Sequence, residues 1–202
     1  MTSPIYWHPA LYRLFMRLLY RGAFDRRYQT VAGLIDAPGT VLDLCCGDCL
    51  LSRHLPTGTT YIGLDANPRF AEAARRRGID ARHGDVLNAV WPEADIIVMM
   101  ASLYQFIPDH ALLLERMLRT ARRGVVLCES IRHIATSPNP LVAALGRRLS
   151  DPFGGQSPRR LDREEMSSLF RRYGASRVLD LDRDMIGVFD GKRQTANGKR
   201  QT

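Results

Sequence analysis

Three acids and one glycine-bearing turn are the residues of this chain whose types and spacing suit chemistry. Val41-Leu42-Asp43-Leu44-Cys45-Cys46-Gly47-Asp48-Cys49 reads as a short buried strand and a tight turn, with a helix expected over about 50–55. A strand ending in such a turn aims backbone N–H groups at a crevice where a nucleotide-like ligand can lie. Asp65 ends a second expected strand, 61–65, and Asp85 stands about twenty residues further on, in Gly84-Asp85-Val86. A lone glycine turn is a weak signal, but a turn followed by two acids at strand ends is a specific one.

Side chains for proton transfer or metal binding are fewer. Tyr104, after the expected fourth strand, and His133, after the fifth, are the candidates for catalytic groups facing a second reactant. His110 and Glu129 have suitable chemistry and rank below them, while His8, His54 and His83 read as structural or exposed. Cys45, Cys46, Cys49 and Cys128 do not form two spaced ligand pairs, so no metal site is expected. Nor do they resemble the disulfide framework of a small secreted domain.

The elements that must position these residues alternate in type. Leu11, Leu14, Phe15, Leu18 and Leu19 have helical spacing over 9–21, beside a basic row of Arg13, Arg17 and Arg21. A second helix is expected over about 25–35, before the first strand. Asn67 is placed to cap a helix with Pro68 at its first position and Gly78 closing it. A short strand follows near 79–83, and 94–100 is an apolar run broken only by Asp95, as in a strand covered on both faces. Asp109 is expected to cap a helix running to Arg123, ended by Gly124, with another buried strand over 125–129. Pro, Gly and Ser then crowd 132–160 around a weak helix at 141–149. Asp162 and Glu165 form a capping-box pair opening a helix to about Tyr173, and 176–182 with 185–190 reads as a hairpin.

This alternation implies an α/β fold: a doubly wound, seven-stranded, mostly parallel sheet with an antiparallel terminal hairpin and an N-terminal helical cap. One domain is expected over 1–190, with 1–37 as the cap and 131–160 inserted over the active site. Gly-Lys-Arg-Gln-Thr at 191–195 recurs at 198–202 and reads as a disordered basic tail.

Composition sets the remaining bounds. With 45% hydrophobic and 25% charged residues among 202, the chain has the make-up of a soluble globular protein. No apolar run reaches the roughly 18–20 residues of a membrane span, and no secretory signal pattern is present, so the cytoplasm is expected. Lys192, Arg193, Lys199 and Arg200 supply half of the +8 net charge. The rest is spread over several helices and reads first as solvated surface, with a nucleic-acid partner the weaker alternative. The helix over 9–21 reads as a lid, and its apolar face also suits a greasy substrate or peripheral contact with an anionic membrane. No pattern sets the oligomeric state.

Taken together, the turn, the acids and the hairpin resemble the class I S-adenosylmethionine-dependent methyltransferases, in particular the small-molecule group that includes quinone-biosynthesis enzymes. The stretch 41–49 is similar to that family's first motif, an acid followed by three alternating glycines. Asp43 holds the acidic place, Gly47 the central glycine, and Cys45 and Cys49 the outer two. The resemblance implies that Asp43, Cys45 and Gly47 border the cofactor, and that the Cβ of Cys49 crowds its methionine moiety. It implies that Asp65 accepts from both ribose hydroxyls, in keeping with a carboxylate's two acceptor oxygens, with Ala66 and Asn67 alongside the adenosine. Asp85 would accept from the adenine amino group, with Val86 beside the ring. Met100, Ala101 and Ser102 would border the sulfonium, and 102–109 resembles the motif after the fourth strand, with Gln105 where a His is frequent.

The activity implied is methyl transfer from S-adenosyl-L-methionine, leaving S-adenosyl-L-homocysteine, without a metal. The acceptor would be the O, N or C of a small molecule, and the first helix tilts the expectation towards a hydrophobic or lipid-like one. Positioning and desolvation then supply most of the acceleration, and a base is needed only to deprotonate the acceptor. A nicotinamide dehydrogenase needs Gly-x-Gly-x-x-Gly in this turn and leaves Asp85 and the hairpin without a role. RNA methylation is an alternative, disfavoured by the lack of an Asn/Asp-Pro-Pro-Tyr motif after the fourth strand. A cofactor-binding protein without turnover is another.

Overall fold

The computed structural model describes residues 14, 17, 23–132 and 159–191. Among them, seven strands form one sheet. They are β1 (Thr40–Leu44), β2 (Thr60–Asp65), β3 (Ala81–His83), β4 (Ile96–Met100), β5 (Gly124–Ser130), β6 (Arg177–Leu181) and β7 (Asp184–Asp190). Their order across the sheet is β3-β2-β1-β4-β5-β7-β6. The first five run parallel, with Leu44 opposite Leu64 on one side and Met99 on the other. β7 lies antiparallel between β5 and β6, pairing Gly124 with Asp190 and Ser130 with Asp184. The strand directions and the closing hairpin agree with the sequence reading.

Alternation of side chains along these strands decides which helix covers which face. Leu42, Leu44, Ile97, Met99, Val125 and Leu127 point to one side, where they meet α3 (His110–Thr120) and α4 (Arg163–Arg172). The helical partners are Leu113, Leu114 and Met117 from α3 and Met166, Leu169 and Phe170 from α4. Val41, Val98, Met100, Val126 and Cys128 point to the other side, against Val31 and Ala32 of α1 (Ala23–Gly33) and Leu51. On that side α2 (Pro68–Arg75) lays Ala71 and Ala74 against Cys49 and Ala81. Helices on both faces make the sheet doubly wound, and β5 is buried along its whole length.

Local capping is as the residues suggest in two places. The Asn67 side chain accepts from Arg69 N–H with Pro68 at the first helical position, and Asp162 and Glu165 form both bonds of a capping box. Elsewhere the boundaries differ. The helix expected after the first turn is a 3-10 turn, Leu50–Arg53, and Asp109 precedes α3 without a side-chain cap bond. α3 stops at Thr120, because Arg122 and Arg123 N–H turn away to the carbonyls of Ala94 and Asp95. Gly124 therefore opens β5 instead of ending a helix. A Cβ there would collide with the Phe189 carbonyl oxygen across the antiparallel pair. The helix over 9–21 apart from Leu14 and Arg17, the weak helix at 141–149 and the repeated tail lie outside the described residues.

One buried ion pair ties the first described helix to the last strand. Arg27 of α1 donates from Nε and Nη2 to the two carboxylate oxygens of Asp184, at 2.7 and 2.8 Å, and from Nη2 to Ser130 Oγ at 3.1 Å. Ser130 in turn donates to Asp184. Breaking a buried pair by removing one partner typically costs about 3–5 kcal/mol. Asp184→Ala is expected to lower the unfolding free energy by about that amount in urea titration, and Arg27→Met with Asp184→Leu to recover most of it. A single Asp184→Ala as stable as the wild type would contradict this role.

Candidate cofactor and acceptor site

The turn after β1 places three alternating residues in the left-handed region: Cys45 at φ 56°, Gly47 at 51° and Cys49 at 55°. Glycine adopts this conformation freely, whereas an L side chain pays roughly 1–2 kcal/mol for it. Hydrogen bonds hold the turn in place. Cys46 N–H donates to Leu64 O at 3.2 Å, and Cys49 N–H donates to Cys46 O at 2.9 Å. The Cys49 side chain is fully buried in the cluster with Ala71, Ala74 and Ala81. The expected crowding of the crevice by its Cβ therefore does not arise, because the side chain is turned under α2.

Asp65 binds the turn to the next connection. Its Oδ2 accepts from Gly47 N–H and its Oδ1 from Asn67 N–H, both at 2.8 Å. A carboxylate oxygen accepts two hydrogen bonds, so one acceptor position remains on each. Burial pushes the Asp65 carboxyl up, and the Asn67 and Gly47 N–H groups act against it. Asp43 lies deeper, its Oδ2 accepting from the Tyr61 hydroxyl at 2.7 Å. Burial pushes Asp43 up to about 7, against the Tyr61 hydrogen bond and with help from the Asp65 charge.

Further along the crevice, Ala66 is exposed and Asn67 half-buried. Asp85 is exposed and accepts from Leu87 N–H at 2.9 Å and from Asn88 Nδ2 at 2.5 Å. Val86 beside it is buried, and its carbonyl accepts from Trp91 Nε1 at 3.0 Å.

The ends of β4 and β5 close the other side. Met100 is nearly buried, Ala101 has φ 50° with its N–H on Cys128 O, and Ser102 Oγ donates to Met100 O. Tyr104 sits buried in the 3-10 turn Leu103–Phe106, with the Arg160 guanidinium 3.7 Å from its ring centre. Burial pushes the Tyr104 phenol up, partly offset by the Arg160 charge. Glu129 accepts from Leu103 N–H at 2.7 Å and from Ser130 N–H at 3.1 Å. Burial drives its carboxyl up to about 7, against the Arg160 charge. Among the described residues, the buried Nε of Arg160 has no hydrogen-bond partner. Cys45 joins the two halves, since its thiol is held up by burial and then by the charges of Asp65, Asp43 and, more weakly, Glu129.

The structure thus brings Asp43, Cys45, Gly47 and Asp65 together, with Glu129 and Ser102 near enough to act on the Cys45 thiol. His133 lies outside the described residues. Sequence reasoning passed over Arg160, one arginine in a Pro- and Gly-rich stretch, and ranked Glu129 low. The available signal for Glu129 was an acid inside an otherwise apolar strand. Among the described residues no cluster of metal-ligating side chains occurs, and no helix is long and apolar enough to cross a membrane.

A crevice of this kind at the carboxyl ends of a parallel sheet, with the last strand inserted antiparallel, is the architecture of the Rossmann-like methyltransferase fold. Residues 41–124 match a methyltransferase domain family. The chain is 36% identical over 124 residues to trans-aconitate 2-methyltransferase of Mycolicibacterium gilvum, covering 58% of this chain and 46% of that protein. Over 151 residues it is 30% identical to the protein of the same name from Mycobacterium tuberculosis, covering 70% and 55%. The chain spans about half the length of these curated relatives. Magnesium protoporphyrin IX methyltransferase from Synechocystis, solved with bound S-adenosylhomocysteine, superposes with a TM-score of 0.62 at 14% identity, covering 86% of this chain and 87% of that one. That likeness speaks for the fold.

The two raised carboxyls have a consequence for stability. Asp43 and Glu129 titrate near 7 when folded and in the ordinary carboxylate range, about 4, when unfolded. The folded state therefore binds more protons between those limits, and stability falls as pH rises from about 4 to about 7. Asp43→Asn is expected to make that decline shallower, read as the urea midpoint across the range. An unchanged slope would show that Asp43 does not titrate as described.

Proposed function

We propose that this protein transfers a methyl group from S-adenosylmethionine to a carboxylate oxygen of a small polycarboxylic acid. The observation that carries the acceptor class is Arg160, whose buried Nε lacks a partner among the described residues while its guanidinium lies on the Tyr104 ring. A planar guanidinium fork suits a carboxylate, and an aromatic face beneath it holds the fork in place. Similarity to proteins named trans-aconitate 2-methyltransferase supports the same class. The hydrophobic or lipid-like acceptor expected from the sequence rested on the helix over 9–21, which, apart from Leu14 and Arg17, lies outside the described residues.

The residues present suit the cofactor. Asp65 keeps one acceptor position on each oxygen for a ribose diol. Ala66 and Asn67 would lie along the adenosine, with Asp85 and Val86 at the adenine. Asp43, Cys45, Gly47, Met100 and Ala101 would border the methionine part and the sulfonium. When bound, S-adenosylmethionine supplies a methyl carbon already activated by that sulfonium. The chain's task is then to orient and to exclude water. An ionised carboxylate acceptor needs no base, which suits a site where Tyr104 stays protonated and both Glu129 oxygens are engaged by N–H groups. Arg160 would grip one carboxylate of the acid while another accepts the methyl.

A panel of mono-, di- and tricarboxylic acids, trans-aconitate included, tests this by mass spectrometry of the methyl ester. Arg160→Gln is expected to raise KM for the acid about tenfold or more, with a smaller change in kcat. Asp65→Ala is expected to abolish S-adenosylhomocysteine binding in calorimetry while Arg160→Gln retains it. Methylation of apolar acceptors alone would overturn the carboxylate reading, and a folded wild type that binds no S-adenosylhomocysteine would overturn the activity.

A further inference from the structure

Two of the three cysteines in the turn form a pair that methyl transfer does not use. The Cys46 and Cys49 sulfurs lie 3.4 Å apart, with Cys46 partly exposed and Cys49 fully buried. They are the first and last residues of a tight turn closed by Cys49 N–H on Cys46 O. A turn of that kind keeps its end Cα atoms within about 7 Å, inside the reach of a disulfide. Gly63 on β2 makes the room for both sulfurs. A Cβ there would lie 2.7 Å from Cys46 Sγ and 3.0 Å from Cys49 Sγ.

We propose that Cys46 and Cys49 form a reversible disulfide that weakens cofactor binding at this turn. The oxidant is a low-molecular-weight disulfide of the glutathione type. Cys46, the more exposed residue of the pair, loses its proton and attacks one sulfur of the small disulfide, releasing one small thiol and leaving a mixed disulfide. Cys49 then loses its proton and attacks Cys46 Sγ, releasing the second small thiol. The protein gives up two electrons and two protons, and the small disulfide is reduced to two thiols. The Cys49 contact and burial hold the Cys46 thiol well above its ordinary range, so the reaction quickens as pH rises.

The effect on the cofactor follows from what lies between the two cysteines. A disulfide is about 2.05 Å long, so the sulfurs must close by more than about 1 Å. Gly47 stands inside the contracting segment, and its N–H is one of the two groups that Asp65 holds. The contraction therefore falls on the hydrogen bond that sets Asp65 in place. This second half of the proposal rests on Asp65 being the ribose-binding acid.

The full chain is incubated with oxidised glutathione, its remaining thiols are alkylated, and peptides are mapped by mass spectrometry. S-adenosylhomocysteine is titrated before oxidation, after it, and after dithiothreitol. The expected result is that the peptide holding Cys45, Cys46 and Cys49 takes one alkyl group, on Cys45. The dissociation constant for S-adenosylhomocysteine is expected to rise about tenfold and recover on reduction. Cys46→Ser is expected to show the same affinity before and after oxidant. Alkylation of all three thiols, or a lasting glutathione adduct on Cys46, would overturn the disulfide. A disulfide without change in affinity would overturn its effect on the cofactor. A reduced wild type that binds no S-adenosylhomocysteine would overturn the cofactor reading and that effect with it, while the alkylation map still decides whether the disulfide forms.

Discussion

The carboxylate of Asp65 collects backbone N–H groups from two separate connections, and the shape of the crevice depends on that. One comes from Gly47 after β1 and the other from Asn67 at the start of α2. Parallel pairing of β1 with β2 brings both connections to the same end of the sheet. This shared acceptor adds to the backbone hydrogen bonds that keep a turn with two L residues in the left-handed region from relaxing. The strain and the bonds that contain it occupy the same few residues. A conformation costly in isolation is kept because β2 and α2 have already fixed the acid that holds it.

Charge shapes the same place. Asp43, Asp65 and Glu129 all act on the Cys45 thiol, and the two deepest of them are pushed to about 7. Arg160 opposes only one side of this cluster, at Glu129 and Tyr104. A ligand group with positive charge placed among these carboxylates favours their ionised forms. The crevice therefore suits a cation near Cys45 and an anion near Arg160. A positively charged donor and an acidic acceptor, brought together, present this pairing.

What was legible in the sequence was what is decided locally. Asn67 with Pro68 and Asp162 with Glu165 announce helix starts through bonds to their own neighbours. The apolar run ending at Met100 declares its burial by composition, and the closing hairpin its two strands by the short polar turn between them. The misses involve distant partners. Gly124 looks like a helix stop until Phe189 arrives across the sheet. Asp109 looks like a cap, yet its helix begins without its side chain. Cys49 looks like an obstruction until Ala71, Ala74 and Ala81 show where it is stored. Arg160 carries no local mark, because only the Tyr104 ring and the Glu129 charge distinguish it from other arginines.

The Arg27–Asp184 pair joins residues 157 positions apart, and this bears on how the chain is made. During synthesis α1 emerges early with a guanidinium destined for burial, while its counter-ion is encoded near the end of the sheet. β5, buried along its whole length, likewise waits for β7 as its antiparallel neighbour. A ribosome that has delivered everything up to α4 has still produced a sheet without β6 and β7, and Arg27 without Asp184. Both contacts can form only after β7 has been made, so they come late in the synthesis of the domain.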